Sequence, residues 1–255
     1  MDSRLQDIIR RIGPLDADAQ EAARKRQRSL TKPAGSLGRL EELSIQIAGI
    51  TGCPLPTLAH KVVITMAGDH GVAAEGVSAF PQEVTPQMVA NFLRGGAAIN
   101  VLARHVGARV VVVDVGVACE LAPHPALCRR KVAPGTMNIA RGPAMTRAQA
   151  EAALLTGVEV VEEQMAGGLD IVGTGDMGIA NTTPSTAIAA AFTGGPVAPL
   201  AGRGTGVDDL GLARKVAVVE RALAVNRPDP TDALDVLAKV GGLEIGGIAG
   251  VILGA

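Results

Sequence analysis

A chain of 255 residues with 47% hydrophobic and 19% charged content can bury the core of one large domain, or of one domain with a smaller appendage. Its formal net charge of -1, with basic residues scattered along the chain, argues against a nucleic-acid surface. It contains three Phe, no Trp and no Tyr, so side chains on which bases stack are almost absent.

Membrane and export signals are also missing from this sequence. No run of roughly 18 uninterrupted apolar residues occurs, and the charged start MDSRLQDIIRRIG is unlike a signal peptide. We therefore expect a cytoplasmic protein. Cys53, Cys119 and Cys128 are odd in number and show no CxxC spacing, which predicts buried apolar thiols rather than a disulfide framework or a zinc site.

The N-terminal part of the chain is predicted to be helical. The first thirty residues are rich in Arg, Gln, Asp and Ala, and Ser36 is placed to cap a second helical segment that ends at Gly52. Apolar residues recur in that segment at spacings of three and four, which puts them on one face: Leu40, Leu43, Ile47 and Ile50. We expect residues 1–56 to form the helical part of a small domain and residues 57–255 to form an α/β domain.

Short apolar strands alternate with long amphipathic helices in the rest of the chain. The predicted strands are 61–66, 110–116, 170–174 and, as a fourth, 196–200. Helix starts are predicted at Thr85-Pro86, at the capping box Thr146 to Gln149, and at Asp208 or Asp209 for a helix running through Glu220. This alternation predicts a Rossmann-like parallel sheet with helices on both faces, with a ligand site outside the C-terminal ends of its strands.

The stretch VGTGDMGIANTTPS at 172–185 contains the formal pattern GxGxxG of a dinucleotide-binding loop. Three observations weaken that interpretation. Residues intervene before the next helix, whose predicted N-cap is Thr183; no acidic residue lies about twenty positions on; and Asp176 would repel a pyrophosphate. A dinucleotide-dependent oxidoreductase therefore remains only as a minor alternative.

A second interpretation of this stretch starts from its carboxylate. The glycines, including Gly175 and Gly178, let the backbone approach a ligand, and Asp176 is placed to accept hydrogen bonds from ribose or to stabilise positive charge at a sugar carbon. Asn181 and Thr182 add neutral hydrogen-bonding groups. The alternative is that Asp176 only caps a turn before a helix.

The loop Gly202-Arg203-Gly204-Thr205-Gly206 precedes a predicted helix and is a candidate phosphate cradle. Its backbone N–H groups, the Thr205 hydroxyl and the helix N-terminus all favour an anion. Lys215, two turns into the helix, is placed to neutralise the phosphate, although a solvated helix lysine is the common alternative. In Gly68-Asp69-His70-Gly71, we expect His70 to orient a loop by hydrogen bonding, because the other three histidines form no ligand cluster.

Six segments together resemble the nicotinate-nucleotide-dimethylbenzimidazole phosphoribosyltransferase family. They are colinear and span nearly the whole chain: KPAGSLGRLE (32–41), AGDHGVAAEGVSAFPQEVT (67–85), GTMNIARGPAM (135–145), GDMGIANTTPSTA (175–187), GRGTGVDDLGLARK (202–215) and LAKVGGLEIGGIAGVILGA (237–255). The resemblance implies phosphoribosyl transfer from nicotinate mononucleotide to 5,6-dimethylbenzimidazole in cobalamin biosynthesis, with inversion at the ribose. It implies a homodimer and neither a metal nor a redox cofactor.

The resemblance also implies roles for particular residues. The nucleotide phosphate maps onto the loop 202–206 and Lys215, and Asp176 falls where the family has an acidic residue, often Glu, near the ribose. The benzimidazole maps onto segment 78–88, with Phe80 and Met88 as expected walls and Gln87 as a further candidate. Positions 80 and 88 are more apolar here than in some relatives, which suits a dimethylated ring.

One family feature has no counterpart among these residues. The family's general base is a Glu in a C-terminal GEGTGA-like motif, and this sequence has none; Glu244, in LEIGGIAG, does not match it. We therefore expect a fragment of a longer enzyme, a natural truncation, or a variant that uses another base. A form that binds its ligands without turnover is the second hypothesis.

Overall fold

The computed structural model describes residues 2–255, which divide into two compact units. One unit is Ser3–Ala59 and the other contains His60–Ala255. None of the helices in the described chain is both long and apolar enough to cross a membrane.

The smaller unit is built from three helices, α1 (Ser3–Arg11), α2 (Ala17–Ser29) and α3 (Arg39–Thr51). Asp16 caps α2 by accepting a hydrogen bond from the backbone N–H of Ala19 at 2.8 Å. Gly52 ends α3 in the left-handed conformation, as the sequence predicts. The helical character of this region is thus confirmed.

Two details of α3 differ from the sequence-based prediction. The residue at its N-cap is Gly38, and Ser36 lies in the preceding turn. The predicted apolar face is largely exposed, with Leu40 64% and Ile50 61% accessible. The helix instead turns Ala48 and Gly49 inward, because these small residues allow α2 to approach closely: an added Cβ at Gly49 would lie 2.7 Å from the side chain of Gln20.

The larger unit combines a four-stranded sheet with eight α-helices. The strands are β1 (Lys61–Gly68), β2 (Ala108–Gly116), β3 (Leu127–Arg129) and β4 (Ile171–Met177). The helices are α4 (Val84–Leu93), α5 (Ala98–His105), α6 (Arg147–Ala166), α7 (Thr182–Thr193), α8 (Val197–Leu200), α9 (Asp209–Asn226), α10 (Ala233–Val240) and α11 (Leu243–Gly254), with a 3₁₀ helix at Gly71–Glu75.

All strand pairs in the sheet are parallel, in the order β3-β2-β1-β4. Helices cover both faces of the sheet. Neighbouring side chains on a strand point to opposite faces, so two adjacent residues of β1 show which helix lies on each face. Ala67 belongs to the core cluster that includes Val89 and Phe92 of α4, whereas Met66 contacts Gly247 of α11. The predicted α/β class with a parallel sheet is confirmed.

Two sequence-based predictions about elements of this unit, and one about the cysteines of both units, are wrong. Residues 197–200 form the short helix α8 rather than a strand, and the fourth strand is β3, whose three residues leave no periodic pattern to detect. Thr85 is not an N-cap: α4 begins at Val84 behind Glu83, so Pro86 lies in the first turn, where a helix needs no N–H donor. The cysteines are not buried, because Cys53 and Cys119 are exposed and Cys128 is partly exposed.

Glycines allow the last helix, α11, to pack closely against α6. An added Cβ at Gly157 of α6 would lie 1.9 Å from the carbonyl oxygen of Gly247, and one at Gly250 would lie 1.9 Å from that of Leu154. The backbones of the two helices are therefore in direct contact. This contact fixes α11 against the sheet and brings its first turn to the C-terminal ends of the strands.

Candidate functional site

The ends of β1 and β4 form the rim at which the sequence predicts a site. The two strands pair in parallel with Met66 opposite Asp176, so both chains leave the sheet at the same edge. Asp176 is exposed at this rim, and its carboxylate accepts a hydrogen bond from the side-chain amide of Asn181. An amide of the same loop thus holds Asp176, and the residue is exposed to solvent.

The backbone between Asp176 and Asn181 is tightly constrained. An added Cβ at Gly178 would lie 2.1 Å from the carbonyl oxygen of Gly68, so only glycine fits this crossing. Ala180 has a φ of 74°, a left-handed conformation that is strained for alanine. The buried hydroxyl of Thr85 accepts a hydrogen bond from the N–H of Ile179 at 3.1 Å. The sequence analysis missed this role of Thr85, because it assigned the hydroxyl to a helix cap.

The glycine pattern of this segment does not form a dinucleotide loop. Gly173 and Gly175 lie within β4, paired with β1, and α7 begins only at Thr182. The predicted N-cap Thr183 is wrong, because Asn181 is the N-cap and Thr183 lies in the first turn. A dinucleotide fingerprint places its glycines in the turn that opens the helix. The formal GxGxxG match is therefore not accompanied by the strand, turn and helix geometry that it requires.

Lys215 is a fully buried cation on α9. Its side chain is 0% exposed, and its ammonium donates to the hydroxyl of Thr182 at 2.6 Å and to the carbonyl of Gly202 at 2.9 Å. Within residues 2–255 it has no carboxylate partner at ion-pair distance. Burial lowers the pKa of Lys215. The alternative of a solvated helix lysine is thus wrong, and a buried cation with a spare donor is suited to an anionic ligand.

The loop 202–206 is exposed next to this ammonium. Gly204 has a φ of 54°, and a Cβ there would lie 2.8 Å from Thr182 Oγ1 and 3.3 Å from Lys215 Nζ. In the described chain the backbone N–H groups of Gly204 and Thr205 have no hydrogen-bond partner. The loop, the start of α7 and Lys215 therefore meet at one place, with donors available for an anion.

Two side chains of the loop are occupied within the protein. Arg203 donates to the carbonyl of Val207 at 3.0 Å and forms an ion pair with Asp209. The hydroxyl of Thr205 lies 3.1 Å from that of Ser78 and accepts a hydrogen bond from the N–H of Ala79 at 3.1 Å. Thr205 thus joins the loop to the segment on which the benzimidazole was predicted.

The three predicted base-binding side chains lie in different environments. Phe80 is 52% exposed and Gln87 is exposed, whereas Met88 packs against the α4 core cluster. A cleft of about 170 Å³ lies alongside the same segment. Its lining consists of Asp69, Gln82, Glu83, Pro86, Ala118 and Cys119.

His70 and Glu244 form a buried pair behind the rim. His70 Nε2 lies 2.9 Å from Glu244 Oε1, and the two side chains are 1% and 0% exposed. Burial by itself lowers the pKa of His70, but the carboxylates of Glu244, Asp69 and Asp176 outweigh it and the pKa is raised. The pairing of Glu244 with His70 was not predicted, although one signal was present: Glu244 is the only charged residue in 240–255.

No group of three or more His, Cys, Asp and Glu side chains in the described part of the chain is arranged to hold a metal ion.

Comparison with known proteins first gives the class. Residues 12–255 match the family model described as phosphoribosyltransferase, so the chain belongs to that family. The match includes both the rim at Asp176 and the loop beside Lys215.

Individual relatives have a more specific name. The chain is 64% identical over 253 residues to a nicotinate-nucleotide–dimethylbenzimidazole phosphoribosyltransferase from Chloroflexus aggregans, covering 99% of this chain and 72% of that protein. A protein of the same name from Geobacter sulfurreducens is 60% identical, with 98% and 71% covered. Among solved structures, CobT from Thermus thermophilus is similar with a TM-score of 0.89 and 51% identity, over 93% of this chain and 71% of that one.

Proposed function

We propose that this protein transfers the phosphoribosyl group of nicotinate mononucleotide to 5,6-dimethylbenzimidazole, a step of cobalamin biosynthesis. The products are α-ribazole 5′-phosphate and nicotinate. Membership of the phosphoribosyltransferase family and the names of its relatives support this reaction. The residue roles predicted from the sequence are part of the same proposal.

The observation that carries the proposal is the buried ammonium of Lys215 beside the glycine loop. A phosphate at this place accepts hydrogen bonds from Lys215 and from the N–H groups of Gly204 and Thr205. The negative charge compensates the lysine for its loss of hydration, which no carboxylate in the described chain does. Gly202 and Gly206 supply the backbone flexibility of the cradle, and Thr182 orients the ammonium.

Asp176 faces the ribose in this arrangement. When the bond between the ribose carbon and the nicotinate nitrogen breaks, positive charge develops on the sugar, and a carboxylate stabilises that charge. A ring nitrogen of the benzimidazole attacks from the opposite face and forms the new bond to the ribose carbon. Nicotinate leaves with the electron pair of the broken bond, and the proton on the other benzimidazole nitrogen passes to solvent. Asn181, Gly175 and Gly178 hold the carboxylate at the rim. Phe80, Gln87 and Met88 are proposed to contact the benzimidazole.

The direct test is to incubate the 255-residue chain with nicotinate mononucleotide and 5,6-dimethylbenzimidazole and to measure released nicotinate and α-ribazole 5′-phosphate by chromatography. We expect both products in equal amounts. Binding of both substrates by calorimetry without any product would favour the second hypothesis, a form that binds its ligands without turnover. Absence of both binding and turnover in the folded protein would contradict the proposed function.

We also propose a cytoplasmic homodimer, as the family resemblance implies, with the Ser3–Ala59 unit as part of a small domain. Apolar side chains on the outer face of α5 support self-association, since Leu102 is 63% and Val101 is 53% exposed. Sedimentation equilibrium measures the mass in solution. A monomer at micromolar concentration would contradict this part of the proposal.

A further inference from the structure

The His70–Glu244 pair lies between three segments that meet behind the rim. His70 follows β1, Glu244 is in the first turn of α11, and Gly178 of the β4 loop crosses directly over the imidazole. An added Cβ at Gly178 would lie 3.0 Å from His70 Nε2. At Gly242 it would lie 2.6 Å from both His70 Cε1 and Glu244 Oε2. The imidazole is therefore enclosed by backbone on several sides.

The segment above the imidazole is the one that carries the site. Gly178 is two residues after Asp176 and three residues before Asn181, and these two side chains are hydrogen-bonded to each other. A shift of the imidazole is therefore transmitted to the backbone between them. The strained φ of Ala180 in the same loop shows that this backbone is held by its surroundings.

The charged groups that act on His70 are all acidic. They are Glu244 from α11, Asp69 from the end of β1 and Asp176 from β4. Thr136 forms an isolated parallel β-bridge with His70. The segment around it, residues 132–140, contains no ionisable residue. Glu83, the N-cap residue of α4, lines the same cleft as Asp69 and is a further carboxylate beside Asp69. A protonated imidazole is thus the positive centre of a negatively charged environment.

The His70–Glu244 pair leaves buried polar atoms without hydrogen-bond partners, which does not suit a purely structural role. The contact of 2.9 Å is within ion-pair distance, but His70 Nδ1 and Glu244 Oε2 have no hydrogen-bond partner among residues 2–255. Buried ion pairs with unused polar atoms stabilise a fold weakly or not at all. This favours a role in the site over a role in stability.

We propose that His70 is a positioning residue: paired with Glu244, its protonated imidazole holds the Gly178 loop and thereby sets Asp176 and Asn181 at the rim. The catalytic consequence of this proposal rests on the proposed function, whereas its structural consequence does not. When His70 loses its proton, Glu244 becomes a buried carboxylate without a counter-charge, and the loop loses its support.

The direction of the pH dependence follows from the raised pKa of His70. The pKa of His70 in the folded protein lies above the usual value near 6.5. The contact of the protonated imidazole with Glu244 is therefore intact at a pH below the usual value, and it is lost as the pH rises through the raised pKa.

The structural consequence is tested by NMR on the full chain without substrate. We expect the ring of His70 to titrate above the usual histidine value near 6.5, and the amide signals of Ile179 and Asn181 to shift with the same midpoint. In Glu244→Gln the His70 midpoint moves to lower pH and the two amide signals follow it. A His70 midpoint at or below the usual value, or amide signals that do not follow it, would overturn the proposal whatever the activity.

The catalytic consequence is tested by pH profiles of kcat and KM for wild type, His70→Gln and Glu244→Gln, with exposed His105→Gln as the matched control. We expect kcat of wild type to fall on the alkaline side, Glu244→Gln to move that fall to lower pH, and His70→Gln to abolish it with kcat about tenfold lower. The KM for nicotinate mononucleotide stays within about twofold, since Lys215 is untouched.

The outcomes of these profiles separate the positioning role from the proposed turnover. An unchanged alkaline fall in His70→Gln contradicts the proposal. If His70→Gln does not fold, Glu244→Gln decides alone by the position of the fall. An inactive wild type refutes the proposed turnover and leaves the NMR result to decide the positioning role.

Discussion

The carboxylate of Asp176 is exposed, yet it is fixed by the amide of Asn181 at the end of β4. An exposed surface aspartate normally needs no such support. Here the support holds the charge above the position where the ribose is proposed to lie, so the electrostatic contribution of Asp176 requires little reorganisation during the reaction.

Replacing Asp176 by Asn keeps the size and the hydrogen bond but removes the charge. We expect kcat to fall about a hundredfold, because the stabilisation of the sugar cation is lost, while KM for nicotinate mononucleotide changes little. Steady-state kinetics of nicotinate release measures both constants. Asp18→Asn, at an exposed aspartate of α2, is the matched control and retains wild-type values; a kcat of Asp176→Asn equal to wild type would remove this residue from the mechanism.

The position of Glu244 depends on the contact between helices α6 and α11. In most exposed helices a Gly→Ala change is stabilising by up to about 1 kcal/mol. At Gly157 the added methyl group would lie 1.9 Å from the carbonyl oxygen of Gly247, which is backbone and cannot rotate away. The two helices must then separate.

We therefore expect Gly157→Ala to lower the free energy of unfolding by about 1–3 kcal/mol, measured by urea denaturation. The control is Gly142→Ala, where an added Cβ has nothing within 4 Å and φ is not positive, so the cost is small. Equal stability of Gly157→Ala and wild type would show that the contact between these helices is looser than described.

At the scale of the whole molecule, the sequence was sufficient for the sheet core and for the rim. The runs that became β1, β2 and β4 are apolar and β-branched and end in Gly with Asp or His, so both their strand character and their common edge followed from simple rules. Strand β3 and helix α8 were beyond such rules. They are three and four residues long, and their conformation is set by what they pack against.

Candidate site residues could be predicted from the sequence where their residue type has one main physical role at such a position. The loop 202–206 has glycines with positive φ at Gly204 and Gly206, and its proposed role as a phosphate cradle follows from the glycine pattern of the sequence. The burial of Lys215 and the partnership of His70 with Glu244 were not visible. Both depend on helices, α9 and α11, whose orientation comes from long-range packing that no local pattern encodes.

The central claim is that Lys215 and the glycine loop bind the phosphate of the nucleotide, and calorimetry tests it most directly. Nicotinate mononucleotide and nicotinate riboside, which lacks the phosphate, are titrated into wild type and into Lys215→Met, which fills the same space without a charge. We expect the mononucleotide to bind wild type about 10- to 100-fold more tightly than the riboside, and Lys215→Met to remove most of that difference. Equal affinities of the two ligands for wild type, or an undiminished preference in a folded Lys215→Met, would contradict the account.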